Sequence, residues 1–158
     1  MGEPPVSARP TPERLLELAA FVPFRLNRLA TGVSEYLAAV YEARFGLDIP
    51  QWRVMATVGS KQDCTAQYIA ASTRMHKTRV SRAIAELEAR ELIERGSSTE
   101  DRRERQVRLT KNGRRLYTEL VPLALERETS LLACLSSEQL SGFLTGMETL
   151  ERFLQLED

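Results

Sequence analysis

The segment that most constrains this chain runs from residue 75 to 113, where a donor-rich helix pattern leads directly into a strand–turn–strand pattern. Apolar residues recur there at positions i, i+3, i+4 and i+7, so one face of the helix must pack against another element. This stripe consists of Val80, Ala83, Ile84 and Leu87. The first turns carry hydrogen-bond donors on the other faces, where the helix N-terminus favours anions. These donors are Lys77, Thr78, Arg79, Ser81 and Arg82.

The strand–turn–strand pattern follows that helix without a linker. Residues 92–95 and 105–109 are strand-like, and in the second of them Val107 and Leu109 alternate with polar neighbours. The polar tip between them, residues 96–103, ends in Asp-Arg-Arg. A donor-bearing helix suits the major groove of double-stranded DNA, and a basic hairpin tip suits the minor groove or the adjacent phosphates. The segment therefore predicts a DNA-binding protein.

The MarR family of bacterial transcription regulators has a recognition helix and wing that resemble KTRVSRAIAELEARELIER followed by DRRERQVRLTKNG in this chain. The resemblance extends from about Phe21 to Leu156, and its most specific part is Asp-x-Arg followed by Leu-Thr-x-x-Gly. It implies that Arg103 enters the minor groove and that Arg102 contacts a phosphate beside it. Asp101 is expected to hold Arg103 or the turn, because a short carboxylate bonds nearby backbone amides.

The resemblance also implies a fold class and an assembly. The expected fold is mainly α with a small β-hairpin, a winged helix-turn-helix flanked by long terminal dimerisation helices. The expected function is a ligand-responsive repressor that binds a pseudo-palindromic DNA operator as a homodimer, with half-sites about 10 bp apart. The expected divisions are a flexible arm at 1–10, N-terminal dimerisation helices at 11–47, a DNA-binding lobe at 48–110 and C-terminal dimerisation helices at 111–158.

Helix boundaries are predicted from capping residues along the chain. A first helix is expected to begin at Thr11 and to break near Phe21, because Pro23 lacks an amide donor. A second helix is expected from Phe24 to a glycine stop at Gly46.

The remaining boundaries follow the same logic. We expect helices from Asp48 to a stop at Gly59, over 66–71 and over 77–91. We expect a long helix after Thr110, bent at Pro122, and a last helix that begins with the capping box Ser136-Ser137-Glu138-Gln139.

The charge distribution is uneven although the formal net charge is zero. Residues 74–115 carry 13 Lys and Arg against 7 Asp and Glu, a net of +6, which leaves −6 for the rest of the chain. Such a chain can present a basic face to phosphates. No apolar run is long enough to span a membrane, and the first ten residues lack the apolar core of a signal peptide, so we expect a cytoplasmic protein.

No catalytic constellation stands out in the sequence. The chain has one His, two Cys and no glycine-rich phosphate loop, which is too little for a His-based triad, a zinc site or a nucleotide cradle. We therefore expect no enzyme activity, no cofactor and no metal.

A small-molecule effector is expected from the resemblance, because the family often binds small aromatic acids between its dimerisation helices and winged lobe. The segment from Pro23 to Val54 is similar to members that control catabolism of aromatic acids, including hydroxycinnamates sensed as coenzyme A thioesters. An arginine near aromatic rings can hold a carboxylate or phosphate. The candidates are Arg25, Asn27, Arg28, Tyr36, Trp52, Arg53 and Tyr117.

Several alternatives remain open at this point. The winged helix could serve protein contacts, or it could bind DNA without sequence preference. The donors on the basic helix could be a solvated face with ion pairs from Glu86 to Arg82 and Arg90. The input could be oxidation of Cys64 or Cys134, although a free cysteine is more often a small buried apolar residue. His76 could touch a phosphate or simply begin the helix.

Overall fold

A computed structural model describes residues 15–96 and 106–156 of the chain. The chain divides into two compact units, Met1–Val33 and Ser34–Asp158. The described residues form six helices and three short strands. In chain order these are α1 (Val22–Phe45), α2 (Ile49–Lys61), β1 (Asp63–Thr65), α3 (Ala66–Thr73), α4 (Lys77–Ala89), β2 (Ile93–Arg95), β3 (Gln106–Leu109), α5 (Lys111–Leu132) and α6 (Ser137–Phe153).

The predicted hairpin is present, but it belongs to a three-stranded antiparallel sheet in the order β1–β3–β2. Val107 on the central strand pairs with Cys64 on one side and with Arg95 on the other. Strand β1 was absent from the sequence prediction. Three residues are too few to show an alternating pattern, so only the pairing with β3 reveals this strand.

The capping residues form the contacts expected of them. The side chain of Thr110 accepts a hydrogen bond from the backbone N–H of Gly113, which begins α5. Ser136 and Gln139 form the reciprocal capping box of α6, and Asp48 and Gln51 form a second one at α2. These three helix-start signals are local, which is why the sequence alone reveals them.

The N-terminal prediction was wrong in part. The predicted start at Thr11 lies outside the described residues, and residues 15–21 contain turns at 18–20 instead of a helix. Pro23 does not end a helix but occupies the second position of α1. Its missing N–H has no intrahelical partner at that position, so proline is tolerated there. Gly46 follows α1 with a φ of 59°, as a glycine after a helix end often does.

Gly59 does not end α2, which continues to Lys61. A Cβ atom at Gly59 would lie 2.4 Å from the ring of Tyr117 on α5. The glycine is therefore explained by the close packing of an aromatic ring against α2.

The core lies in the second unit, around α2, α4 and the sheet. All four residues of the predicted α4 stripe are at most 1% exposed. On α2, Met55 and Val58 face inward as expected, while Val54 is buried and Trp52 only half-buried. The sheet alternates as predicted, because Val107 and Leu109 are buried and their neighbours are exposed. Within the described residues, no helix is both long and apolar enough to cross a membrane.

Candidate nucleic-acid interface

Helix α4 presents the predicted donors to solvent. Lys77, Thr78, Arg79, Ser81 and Arg82 are all exposed. Successive residues of an α-helix are rotated by about 100°, so Thr78, Ser81 and Arg82 point away from the buried stripe. Lys77 and Arg79 lie on either side of that central group. The helix therefore has a central polar strip with a cation on each flank.

The N-terminus of α4 is capped by His76. The Nδ1 atom of His76 accepts a hydrogen bond from the backbone N–H of Thr78 at 3.3 Å. The prediction that His76 acts as a polar helix-start residue is confirmed.

An open cleft of about 450 Å³ runs beside the start of α4. Among the described residues that line it there is no acidic side chain, and two of its arginines were not among the predicted DNA-binding residues. Arg74 adopts a left-handed conformation just after α3, and Arg53 comes from α2. Arg74 lies in the basic segment of the sequence, which is a signal that could have identified it. The cleft is lined by Arg53, Arg74, Met75, His76, Thr78, Arg79 and Arg82.

Arg82 has a fixed partner on its own helix. Its Nε–H donates to Oε1 of Glu86 at 2.9 Å, as the sequence spacing indicated. The other carboxylate oxygen of Glu86 accepts from Nε2 of Gln51 on α2, also at 2.9 Å. The hydrogen bonds from Gln51 and Arg82 lower the pKa of Glu86, so the carboxylate is charged at neutral pH.

Arg90 does not pair with Glu86. Its two terminal amino groups donate to the backbone carbonyls of Phe45 and Gly46, at 2.7 and 2.8 Å. These carbonyls lie at the C-terminal end of α1, where helical partners are missing and a cation is favoured by the helix dipole. The end of α4 is thereby attached to the end of α1.

The base of the wing is described, but its tip is not. Arg108 on β3 lies between two carboxylates, 3.8 Å from Asp63 and 3.7 Å from Glu94. The predicted contacts Arg102 and Arg103, together with Asp101, lie outside the described residues. Their roles stay predictions.

Three of the predicted effector-binding residues belong to the first unit. Arg25 and Arg28 line an open cleft of about 460 Å³ along α1. The guanidinium of Arg28 also lies 5.7 Å from the centre of the Phe24 ring. The backbone carbonyl of Asn27 accepts a hydrogen bond from Thr31. An exposed cation-rich surface of this kind is compatible with an anionic ligand.

The other four predicted effector-binding residues belong to the second unit and have structural contacts there. Trp52 stacks on Tyr41 with ring centres 5.6 Å apart. The Tyr117 ring packs on Gly59, and Arg53 donates to the Ser34 hydroxyl at 3.2 Å besides lining the cleft beside α4.

Tyr36 has a cationic neighbour on α5. The guanidinium carbon of Arg127 lies 4.0 Å from the centre of its ring, and Arg127 also donates to the Tyr36 backbone carbonyl. These contacts account for the three aromatic residues as packing residues, and effector binding by them stays a prediction.

The two cysteines are free and differ in environment. Cys64 is buried on β1, and burial raises the pKa of its thiol to about 11. Cys134 is exposed at the end of α5. In the described part of the chain, no group of three or more His, Cys, Asp or Glu side chains could hold a metal ion.

Comparison with known proteins agrees with this architecture. A sequence profile described as the MarR family matches residues 45–104, which run from the end of α1 into the wing. The MarR/EmrR family transcriptional regulator from Acinetobacter sp. ADP1 superposes with a TM-score of 0.78 at 25% identity, over 90% of this chain and 100% of that one. The fold is that of the MarR family. No curated protein sequence matches the chain.

Two further structures share this MarR fold. A MarR family regulator from Listeria monocytogenes complexed with 26mer DNA has a TM-score of 0.74 at 13% identity, over 85% of this chain and 89% of that one. BpsR from Bordetella bronchiseptica, whose DNA binding is regulated by 6-hydroxynicotinic acid, has a TM-score of 0.69 at 22% identity, over 80% and 98%. At these identities the likeness concerns the fold alone.

Proposed function

We propose that this protein is a MarR-type transcription regulator that binds a double-stranded DNA operator through α4 and the wing. The observation that carries the proposal is the exposed donor strip of α4, which lies opposite a fully buried apolar stripe and beside an arginine-lined cleft. A helix held in this way can enter a major groove while its cations meet the phosphates. The protein is a binding protein and not an enzyme.

The position of each donor on α4 indicates its part in binding. Thr78, Ser81 and Arg82 occupy the centre of the exposed strip and are assigned to base edges, where an arginine discriminates by about 1–3 kcal/mol per good bidentate pair. The flanking cations Lys77 and Arg79 are assigned to phosphates on either side. Phosphate contacts fix the orientation of the protein on DNA without reading sequence. Arg102 and Arg103 are assigned to the phosphates and minor groove beside the same site.

The operator is expected to be read by a homodimer. Helix α6 has no buried residue, although apolar side chains recur along one of its sides. Such a face is stabilised by a second apolar surface. Two-fold symmetry then places two α4 helices over half-sites about 10 bp apart. The exposed apolar residues of α6 and the segment that follows it are Phe143, Leu144, Met147, Leu150, Phe153, Leu154 and Leu156.

The regulator is proposed to be a repressor released by a small aromatic acid or its coenzyme A thioester. The regulation of BpsR by 6-hydroxynicotinic acid, an aromatic acid, is consistent with this ligand class. The residues proposed for its site are Arg25, Asn27, Arg28, Tyr36, Trp52, Arg53 and Tyr117. To shift the protein from nearly full to nearly empty operator occupancy, the effector must prefer the released state by about 5.5 kcal/mol.

The deciding experiment is fluorescence anisotropy of the protein on DNA from upstream of its own gene and on scrambled DNA, across a salt series. Specific binding exceeds non-specific binding by about 10³-fold or more. A preference of that size supports the regulator. Equal affinities that fall steeply with salt indicate non-specific DNA binding, and the absence of binding to either DNA indicates a winged helix used for protein contacts.

A further inference from the structure

Gln51 is an unusual residue in the described part of the chain because it is a buried polar side chain, only 9% exposed. A buried amide is costly unless its groups are hydrogen-bonded. The Oε1 atom of Gln51 accepts from the backbone N–H of Asp48 at 3.1 Å, and its Nε2 group donates to Glu86 at 2.9 Å. Both ends of the amide are therefore used, one within α2 and one across to α4.

Glu86 is equally unusual for its location. It lies on the donor-bearing side of α4, next to Arg82 and at the edge of a second open cleft of about 260 Å³ that Arg79 and Arg82 also line. A carboxylate there repels phosphates, so charge alone gives no reason for it in a DNA-binding surface. Its two oxygens hold groups from two different helices, Gln51 of α2 and Arg82 of α4.

We propose that Gln51 and Glu86 are positioning residues that orient Arg82 for base reading. The inference rests on the proposed DNA-binding function. Glu86 holds the Nε–H of Arg82, and the terminal amino groups of the guanidinium are left as donors for other acceptors. Gln51 anchors the carboxylate to the capped start of α2, so the direction of Arg82 is set by two helices.

The Gln51 contact is what distinguishes this arrangement from an ordinary surface ion pair. The Arg82 side chain is 82% exposed and that of Glu86 is 39% exposed. An exposed pair on a single helix exchanges between conformations and contributes little by itself. With its second oxygen held by a buried amide, the carboxylate loses that freedom, and Arg82 is ordered before DNA arrives. Ordering a contact residue in advance lowers the entropic cost of binding.

The arrangement also favours specific over non-specific binding. Glu86 offsets part of the charge of Arg82, which weakens its attraction to phosphates in general. The oriented amino groups still match the two acceptors on the major-groove edge of guanine. Loss of either positioning residue should therefore reduce the affinity for the operator more than the affinity for scrambled DNA.

The test compares Gln51→Met with Gln139→Met. Both variants lose the side-chain bond of a capping box, because Gln139 caps α6 in the same way that Gln51 caps α2. Only Gln51→Met loses the contact with Glu86. Anisotropy at a fixed salt concentration measures the affinity of these two variants for operator and for scrambled DNA. The same measurement is made on Glu86→Ala, on Arg82→Ala and on the double variant Gln51→Met/Arg82→Ala. Thermal unfolding of each variant verifies that it is folded.

We expect Gln51→Met to lower the operator-to-scrambled preference by about three- to tenfold and Gln139→Met to leave it unchanged. Gln51→Met should have no further effect in the Arg82→Ala background, because its role depends on Arg82. An unchanged preference in folded Gln51→Met protein overturns the inference while leaving the regulator intact. Equal binding of both DNAs by the unmutated protein overturns the proposed function and this inference together.

A second measurement does not depend on DNA. The Nε–Hε signal of Arg82 in side-chain ¹⁵N–¹H NMR should exchange slowly with water in the unmutated protein and faster in Gln51→Met. The same variant should raise the pKa of Glu86 toward its ordinary value, as followed by carboxyl ¹³C shifts. An Arg82 signal that is identical in both proteins contradicts the anchoring role of Gln51.

Discussion

At the scale of single residues, the Leu-Thr-x-x-Gly sequence after the wing has a physical explanation in the structure. Thr110 caps α5, and its hydroxyl also donates to the Glu91 carbonyl at 2.6 Å. Three residues later, a Cβ atom at Gly113 would lie 1.8 Å from the carbonyl oxygen of Leu92. The backbone before β2 therefore lies directly against the first turn of α5. This close approach explains why a glycine occupies position 113, because its φ is not positive and does not itself require glycine.

Gly113→Ala is expected to destabilise the protein by about 1–3 kcal/mol or more, because the clash is with backbone that cannot rotate away. Urea denaturation followed by circular dichroism measures the change. The control is Gly142→Ala on α6, where no atom lies within 4 Å of the added Cβ. That variant should gain about 0.5–1 kcal/mol from the reduced entropy of the unfolded chain. Equal effects of the two variants would contradict the role of Gly113.

The buried thiol gives a pH dependence whose sign follows from its environment. The pKa of Cys64 is raised by burial, and to a smaller degree by Asp63, to about 11. The thiol form thus stabilises the folded state below the ordinary cysteine pKa, and this contribution is lost as pH rises through the raised value. The free energy of unfolding should fall between about pH 9 and 11. Cys64→Ala should weaken that fall, as measured by urea denaturation at each pH.

The pKa of Tyr41 is also raised, to about 12, by burial and nearby Glu42, so Tyr41 adds to the fall at the highest pH values. Its contribution remains in Cys64→Ala at the highest pH. A thiol reagent provides an independent control. One cysteine per chain, Cys134, should react in the folded protein and two after unfolding. Rapid reaction of Cys64 in the folded state would favour the alternative of an oxidation-sensing input.

At the scale of elements, α4 is positioned by contacts along its whole length. His76 caps its first turn, Glu86 connects its middle to α2, and Arg90 attaches its end to α1. The four buried stripe residues hold its inner side. A recognition element needs this rigidity because base contacts depend on position to within a fraction of an ångström. The flanking and central donors should consequently behave differently when removed.

Lys77→Ala is expected to weaken binding to operator and to scrambled DNA equally. It should also reduce the salt slope, the dependence of log affinity on log salt concentration, by about 1, because one phosphate contact is lost. Ser81→Ala should instead reduce operator preference with little change in the salt slope. The control is Arg152→Ala on α6, which removes one cation outside the winged helix. A sequence-dependent loss in Lys77→Ala would contradict its assignment to the backbone.

At the scale of the whole molecule, the described helices leave a long apolar surface on α6. Leu150 is 48% exposed and Phe143 is 38% exposed, and both lie on the same side of the helix. Exposed apolar faces of this length in a protein with this fold are consistent with the proposed homodimer.

Leu150→Asp is expected to produce monomers, because a carboxylate cannot be buried unpaired in an apolar interface. Sedimentation equilibrium across protein concentrations measures the mass. The control is Thr145→Asp, which adds the same charge on the exposed opposite side of α6. Monomeric unmutated protein would refute the dimer, and a dimeric Leu150→Asp protein would exclude this face as its interface.

The proposed effector also acts at the scale of the whole molecule. Arg25→Ala protein is expected to bind the operator normally but to resist release by a hydroxycinnamoyl coenzyme A thioester, because it has lost a partner for the ligand's anionic groups. Anisotropy in the presence of increasing thioester measures release. Thr31→Ala, which changes α1 without removing a cation, serves as the control. Normal release of Arg25→Ala would remove Arg25 from the proposed site.

The sequence by itself determined the elements whose signals are local. The α4 stripe, the alternating strand β3, the caps at Thr110 and Ser136 and the glycine after α1 are decided within a few residues, by hydrogen bonds and side-chain periodicity. The exposed donors of α4 follow from that stripe. Local signals, together with the family resemblance, were therefore sufficient for the winged-helix fold class and for the candidate helix of the interface.

Only the tertiary structure decided features that depend on residues distant in sequence. Strand β1 exists because it pairs with β3, Gly59 is a packing residue because Tyr117 lies on it, and Arg53 joins the cleft beside α4. The contact between Gln51 and Glu86 joins residues 35 positions apart. Periodicity and capping carry no information about which helix packs against which, because that choice is made by the collective burial of apolar surface.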